Sequence, residues 1–339
     1  MAKKDTVTKS YMEDRNKFAD LVNFYVYNGE KVVKPEKLHP LDTTASALLE
    51  DKGKALKTVK AVQKHRDVLK YLSGMADENT AYVIYGLELQ SGIHYAMPVR
   101  NMLYDALQYT YQVDVIAAKH EGNKDKGENS GEYLSGFHKD DRIIPVVTIV
   151  VYFGPDEWDG PQSVYDMFST KDPHILKYVP DYRMNLVSPS AMSDEDLDKF
   201  STELKQVFKY MKYSSDKEKL RQIINEDDTY KHISRKTAVM INTLSGTKMK
   251  IESGKDEVDM CKAIEDMRKE EREKGIEEGL EKGMEKGIEK GREEGRKEGR
   301  NEGIIETLSG LVNDGLITLE TAASRAGMTV KEFETRLGS

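Results

Sequence analysis

The chain has 339 residues, 52 of them basic and 60 acidic, and its formal net charge of −8 argues against a surface that binds nucleic acid by charge alone. The length suggests about two domains. A single cysteine, Cys261, excludes an intramolecular disulfide and a cysteine-based zinc site, as expected in a reducing cytoplasm. We expect neither secretion nor a membrane partner, because residues 1–18 lack an apolar core and the longest apolar run, residues 143–153, is too short to span a bilayer.

The first half of the chain predicts a compact α/β module. Residues 16–27 carry apolar side chains at helical spacing. Two candidate strands, residues 66–72 and 81–90, flank a polar turn and predict a hairpin. Residues 97–120 predict a long helix with a proline near its first turn, and residues 143–153 are typical of an interior strand. This order of elements predicts a central mixed sheet flanked by helices.

The segment YGLELQ places Glu88 and Gln90 in an otherwise apolar strand. Because side chains alternate along a strand, both project to the same face. A buried carboxylate needs a hydrogen bond, an ion pair or a metal ion, whereas an edge strand would leave Glu88 in solvent. Across the predicted hairpin Asp67 comes within reach of Glu88, and Asp20 on the first helix could complete a cluster for Mg²⁺ or Mn²⁺. Gln90 could then orient a metal-bound water.

Several separated motifs agree with one family. RDVLKY, YGLELQ, MPVRNMLYDALQY and IIPVVTIVVYFGPDEWDGP, in this order, resemble the recombination-promoting nuclease / putative transposase family, a branch of the PD-(D/E)XK nucleases. The resemblance covers roughly residues 14–215 and the glycine-rich, charged tail. It implies a restriction-endonuclease-like fold and a Mg²⁺-dependent endonuclease that acts on double-stranded DNA and is linked to recombination of mobile DNA.

The resemblance also implies roles for individual residues. Asp67 matches the motif aspartate and Glu88 the motif acid, so both are expected to hold the metal. Gln90 stands where the superfamily pattern has lysine, a departure habitual in this branch. Since it removes a cation, catalysis is expected to depend more heavily on the metal. Asp20 matches an acid that some members carry on the first helix.

Three polar residues on the predicted long helix are candidates for DNA contact. Arg100, Tyr104 and Gln108 are four positions apart and form one stripe. The functional interpretation is contact with phosphates of the scissile strand, for which the Arg100 guanidinium is suited. The alternative is a helix surface on which Arg100 is paired with a carboxylate.

The last third of the chain differs from the rest. From Gly275 to Gly303 a glycine recurs at every fourth position among Glu, Lys and Arg, and we name this segment the glycine repeat. It predicts a solvated helical spacer able to form a homo-oligomer. The end of the chain predicts short helices resembling a helix-turn-helix, favoured as a packing or dimerisation module over a DNA reader. The predicted division is a nuclease-like core at 1–190, a helical extension at 191–268, the repeat helix at 269–303 and the terminal module at 304–339.

Two hypotheses for function follow. The first is a Mg²⁺-dependent DNA endonuclease. The second is a DNA-binding or scaffolding protein that keeps the nuclease fold without turnover and oligomerises through its C-terminal tail. Strand transfer, a third reading, has only the family name in its support. The chain has no Walker, G-x-S-x-G, H-E-x-x-H or dinucleotide motif, so no organic cofactor is expected.

Overall fold

The chain forms two compact units, residues Met1–Asp266 and Met267–Ser339. The computed structural model describes residues 2–41, 44–47, 62–65, 67–73, 81–251 and 254–337. The polar turn of the predicted hairpin falls almost wholly on residues 74–80, outside the described residues. None of the described helices combines the length and the apolar character needed to cross a membrane.

The first unit mixes helices and strands. The α-helices that precede the last strand of its main sheet along the chain are α1 (Ala2–Met12), α2 (Arg15–Tyr27), α3 (Met97–Gly122), α4 (Ser130–Ser135), α5 (Val164–Met167) and α6 (Pro173–Leu176). Its strands are β1 (Leu38–Pro40), β2 (Thr44–Ala47), β3 (Val62–His65), β4 (Val68–Ser73), β5 (Ala81–Gln90), β6 (Val146–Tyr152), β7 (Asn185–Val187), β8 (Ile233–Ser234) and β9 (Glu257–Val258). The later helices are α7 (Asp194–Asp198), α8 (Leu204–Lys212), α9 (Lys217–Glu226) and α10 (Arg235–Ser245).

A mixed sheet lies at the centre of the first unit. Within the described residues it has five strands in the order β1-β4-β5-β6-β7. The β1/β4 and β4/β5 pairs are antiparallel, which confirms the predicted hairpin, and the β5/β6 and β6/β7 pairs are parallel. Helix α3 connects the parallel strands β5 and β6, as such a crossover requires. The predicted α/β, restriction-endonuclease-like architecture is therefore confirmed.

Helices cover both faces of the sheet. On one face Leu69, Ile84 and Val146 form an apolar cluster against Tyr109 of α3. On the other face the Lys70 ammonium lies 5.4 Å from the centre of the Phe18 ring of α2. Helix α2 begins where the Asp14 side chain accepts hydrogen bonds from two backbone N–H groups of the first turn. Helix α3 therefore covers one face of the sheet and α2 the other, so polar residues of these two helices meet different strand side chains.

The second unit is helical, as predicted. Helix α11 (Met260–Asn313) enters it from the first unit, and it continues with α12 (Leu319–Ala326) and α13 (Val330–Leu337). The glycine repeat lies in α11, and a Cβ atom added at any of its glycines would meet no atom within 4 Å. The terminal helices enclose a small core of Ile305, Leu308, Ala322, Ala323 and Phe333. The repeat is a solvated helix, and the terminal module has an apolar core of its own.

Candidate active site

Asp67 and Glu88 come together at one end of the β4/β5 pair. The antiparallel register pairs Val68 with Leu87, so one step further along the ladder Asp67 stands across from Glu88. Side chains directly opposite in an antiparallel pair project to the same face. The backbone N–H of Leu89 donates to Asp67 Oδ2 at 2.8 Å and fixes the carboxylate beside β5. Both carboxylates therefore project toward the side of the sheet that α3 covers.

Glu88 is a buried charge with a cationic partner. Its side chain is 0% exposed, because β5 is the middle strand of the sheet. This position excludes the alternative of an edge strand with Glu88 in solvent. Arg100 Nη2 of α3 lies 3.3 Å from Glu88 Oε2, and this ion pair balances the buried charge.

Arg100 interacts with both carboxylates of the site. Burial acts to lower the Arg100 pKa, but the charge of Glu88, the hydrogen bond with Tyr104 and the charge of Asp67 together raise it above the ordinary value. The Arg100 Nε–H donates to Tyr104 Oη at 2.9 Å, which orients the guanidinium. The charges of Asp67 and Glu88 both stabilise the Arg100 cation, as expected of two carboxylates that project toward the same place.

The Asp67 carboxyl is perturbed by its surroundings. Burial raises its pKa above the ordinary range, while the Leu89 N–H and the positive charges of Arg100 and Lys9 oppose the rise. A carboxylate that has lost water without being fully compensated gains from any additional positive charge. Asp67 is therefore a group whose ionised form a bound cation would stabilise.

The two carboxylates fit a hard divalent cation. They offer oxygen ligands from neighbouring strands, the donor type that such an ion prefers. Gln90 follows Glu88 on the same face of β5 and is half-buried. Its carboxamide can hydrogen-bond but carries no charge, so Gln90 does not supply the cation that a lysine would bring.

Asp67 also lines a cleft that contains basic side chains. The cleft measures about 520 Å³, and its lining residues include Lys9, Arg15, Lys70 and Glu13. Lys70 donates to the Glu13 carbonyl at 2.9 Å, and burial lowers its pKa. Sequence reasoning missed Lys9 because α1 is a largely polar helix whose few apolar residues show little helical periodicity. The cleft brings cations beside the predicted metal ligand Asp67.

Asp20 does not join this group. Its carboxylate accepts hydrogen bonds from the backbone N–H and hydroxyl groups of Ser201 and Thr202, at 2.7 to 3.1 Å. Helix α2, which carries Asp20, packs on the face of Lys70, the opposite face to α3. The prediction that Asp20 completes the cluster is therefore corrected, and its hydrogen bonds fasten α2 to the start of α8.

The predicted DNA-contacting stripe also needs correction. Tyr104 is 3% exposed and Gln108 is 8% exposed, so both face the sheet rather than solvent. Only Arg100 of the three reaches the surface, with about a third of its side chain exposed (34%). The spacing correctly placed the three residues on one face of α3, but that face is the packed one. The alternative, an Arg100 paired with a carboxylate, is what the structure contains.

A buried polar network that sequence reasoning missed holds α3 in place. Asp105 accepts hydrogen bonds of 2.6 Å from the Thr148 hydroxyl of β6 and from the Tyr182 hydroxyl. Asp105 lies five residues after Arg100, about one and a half helical turns along α3. The network therefore sets the position of α3 against the sheet, and with it the approach of Arg100 to Glu88. The sequence signal for this network was an aspartate on the predicted long helix together with a threonine in the apolar strand.

Comparison with known proteins identifies the family. Residues 3–237 match the family described as putative transposase, YhgA-like. The chain belongs to this family. The match covers most of the first unit and ends before the glycine repeat. Neither a curated protein nor a solved structure matches the chain. The family description connects the matched region to mobile DNA.

Proposed function

We propose that the chain is a Mg²⁺-dependent endonuclease that cleaves double-stranded DNA, with Asp67 and Glu88 as its metal ligands. The observation that carries the proposal is the placement of Asp67 beside Glu88 on the β4/β5 pair, with the Arg100 guanidinium 3.3 Å from Glu88. A fully buried glutamate is costly, and a protein that only needed stability could replace the ion pair with apolar residues. The charged pair is therefore better explained by chemistry at this position.

Each residue of the site has a role in this proposal that follows from its side-chain chemistry. Asp67 and Glu88 hold Mg²⁺, and Mn²⁺ can substitute because it accepts the same oxygen ligands. When bound, the ion supplies a polarised phosphate and a water of lowered pKa. Gln90 positions the attacking water or a phosphate oxygen through its carboxamide. Because burial raises the pKa of Asp67, a bound cation would favour its ionised, metal-binding form.

Arg100 has a second task in this proposal. Its guanidinium balances Glu88, and about a third of the side chain remains exposed (34%), so it can also meet a phosphate oxygen at the mouth of the site. Tyr104 keeps the guanidinium oriented through the hydrogen bond to Nε. Arg100 thus supplies positive charge next to the carboxylates that a phosphodiester must approach.

The basic side chains of the cleft offset the missing motif lysine. Gln90 brings no charge, but Lys9 and Arg15 line the cleft that also contains Asp67. Cations at these positions attract the DNA backbone locally although the whole chain has a net charge of −8. We therefore expect weaker DNA binding when Lys9 and Arg15 are replaced.

The decisive assay is plasmid relaxation by the purified full chain with Mg²⁺ or with EDTA. Wild type should nick or linearise the plasmid only with the metal. Glu88→Gln should lower the rate by about 10³-fold, the loss expected when several kcal/mol of metal-based stabilisation disappear. The matched control is Glu195→Gln, which changes an exposed glutamate in the same unit and should leave the rate unaltered. Equal rates for Glu88→Gln and wild type would refute the assignment.

The ion pair also favours a second candidate function. Because Arg100 already compensates Glu88, the charge of this buried glutamate does not require a metal, as in a DNA-binding protein without turnover. Such a protein would shift DNA in a gel in the presence of EDTA and cut no plasmid with Mg²⁺ or Mn²⁺. The same assay therefore separates the two functions.

A further inference from the structure

A second cluster of ligand-type side chains lies away from the carboxylate pair. His120 belongs to the last turn of α3, and His138 and Asp141 follow α4 in the connection to β6. One ligand atom from each of the three lies within 4.8 Å of the other two. Their side chains are each less than a fifth exposed. Two imidazoles and a carboxylate gathered in this way are a typical transition-metal donor set.

The cluster has defined geometry. The His120 and His138 rings are stacked, with centroids 3.7 Å apart and planes inclined by 22°. His120 Nε2 lies 2.9 Å from Asp141 Oδ2. The same carboxylate oxygen accepts a hydrogen bond from the His138 backbone N–H at 2.6 Å. These contacts hold the three side chains close enough together for one ion to contact all of them.

Asp125 completes the surroundings of the histidines. Its Oδ2 lies 3.3 Å from His120 Nδ1, on the side of the ring opposite to the nitrogen that faces Asp141. A carboxylate on one ring nitrogen fixes the tautomer and directs the other nitrogen toward a metal. Asp125 Oδ2 is also 3.8 Å from His138 Nδ1, so one carboxylate orients both rings.

The intervening loop is built to hold these side chains. Asn129 caps α4 through the N–H groups of Gly131 and Glu132. The Glu132 carboxylate then accepts hydrogen bonds from the backbone N–H groups of Glu128 at 2.6 Å and Lys139 at 3.1 Å, which ties the start of the loop to its end. The loop therefore returns on itself and brings the His138 segment back to α3.

Gly127 leaves the space that the cluster needs. Its φ angle is +71°, and a Cβ atom there would lie 2.6 Å from Glu132 Cβ and 3.2 Å from His138 Nε2. The first contact is too short for any side chain, and the φ angle itself disfavours one. Only glycine lets the backbone pass this close to the Glu132 and His138 side chains.

We propose that His120, His138 and Asp141 bind one Zn²⁺ ion that fastens the end of α3 to the connection leading into β6. Nitrogen ligands favour zinc over magnesium, whereas the oxygen-only pair Asp67 and Glu88 favours magnesium. Zinc bonds of about 2.0–2.1 Å place tetrahedral ligands about 3.3 Å apart, so small side-chain rotations close the site. Three protein ligands leave a fourth position for water. This site is structural and does not depend on the proposed nuclease function.

The test is metal binding by the full chain after removal of metal with a chelator. Wild type titrated with Co²⁺, a spectroscopic substitute for zinc, should develop the visible absorption of a four-coordinate ion at about one equivalent, and Zn²⁺ should displace it. His120→Ala and His138→Ala should abolish the absorption. The matched control is His174→Ala, an exposed histidine of the same unit, which should bind like wild type. Glu88→Gln should also bind normally, which separates this site from the carboxylate pair.

Two milder substitutions test metal binding even if an alanine variant fails to fold. Asp125→Asn should keep the stoichiometry but weaken affinity by about 10- to 100-fold, because it removes the group that orients the two histidine rings and none of the three ligands. His138→Gln preserves much of the ring's volume and should lose the ion while retaining the circular dichroism spectrum of wild type. Absence of Co²⁺ absorption and of bound zinc in wild type, or equal binding by His138→Gln, would show a hydrogen-bonded cluster only and overturn the proposal.

Discussion

The middle of the sheet and the glycine repeat use charge in opposite ways. Glu88 is a single carboxylate without contact to solvent, and its position is set by register, by β6 and by Arg100. The repeat carries many carboxylates, all on exposed positions of α11. Burial makes the charge of Glu88 costly in free energy unless it is paired, whereas water screens the carboxylates of the glycine repeat. Chemically similar substitutions should therefore have very different effects in the two regions.

The largest effect on stability is expected for Arg100→Ala. This substitution removes the cation that compensates Glu88, and breaking such a pair should cost about 2–3 kcal/mol, less than for a fully buried pair because Arg100 is partly exposed. Added Mg²⁺ should stabilise this variant in proportion to its binding. Urea denaturation with and without Mg²⁺ measures both effects.

A matched surface arginine provides the control for that experiment. Arg183 pairs with Asp181 but is 81% exposed, so Arg183→Ala should change the free energy of unfolding by well under about 1 kcal/mol. The double variant Arg100→Ala with Glu88→Gln should recover most of the loss, since residue 88 no longer carries a buried charge. Equal destabilisation by the Arg100 and Arg183 variants would contradict the contrast between the buried and the solvated charge.

A smaller effect, with a defined pH dependence, is expected for Asp67→Asn. Because the pKa of Asp67 is raised in the folded state, the folded chain keeps a proton that the unfolded chain has lost, so the contribution of Asp67 to stability falls as pH rises through that window. In EDTA the variant should be more stable than wild type near neutral pH, and the two should converge at about pH 3, below the ordinary aspartate pKa.

Thermal unfolding across this pH range measures the difference. Asp114→Asn, an exposed aspartate on α3, is the control and should show no such dependence. The Asp67 variant should also lose Mg²⁺-induced stabilisation, because the asparagine amide is a poor substitute for a carboxylate ligand. An Asp67→Asn protein that is less stable than wild type at neutral pH would show that the pKa of Asp67 is not raised.

In the glycine repeat, Gly283→Ala and Gly287→Ala should each strengthen the helix by about 1 kcal/mol or less. The added methyl groups meet no atom of the chain within 4 Å, so nothing opposes the gain in helix propensity. Far-UV circular dichroism on heating measures it. If sedimentation shows that wild type self-associates and that the alanines dissociate it, the glycines serve close helix contact instead of solvation.

The smallest effect is expected for Lys297→Ala. Lys297 Nζ lies 3.0 Å from Glu293 Oε1 at a spacing of four residues on α11, and both side chains are about 70% exposed (72% and 68%). Such a pair contributes about 0.3–0.5 kcal/mol. Unfolding measured at low and high salt should show a loss of this size that salt removes. A loss comparable to that of Arg100→Ala would mean that α11 is buried in an assembly.

The sequence predicted most of the sheet and the carboxylate pair because strand periodicity is local. Alternation along β5 places Glu88 and Gln90 on one face, and the hairpin places Asp67 opposite Glu88. The local sequence pattern does not reveal which helix covers which face of the sheet. Asp20 was therefore assigned to the wrong side of the sheet, where Ser201 bonds to it.

Helical spacing has a similar limit. It places Arg100, Tyr104 and Gln108 on one stripe but does not say whether the stripe meets solvent or the sheet. The histidine cluster was missed for another reason. His120 and His138 are far apart along the chain, with no short motif, and only the closed loop around Glu132 brings them together.

The central claim is that Asp67 and Glu88 bind one divalent ion, and anomalous diffraction from crystals of the full chain grown with Mn²⁺ tests it most directly. We predict an anomalous peak between the two side chains, about 2.0–2.4 Å from a carboxylate oxygen of each. The result that contradicts the account is a map with no peak at this position under saturating Mn²⁺, with Arg100 still paired to Glu88.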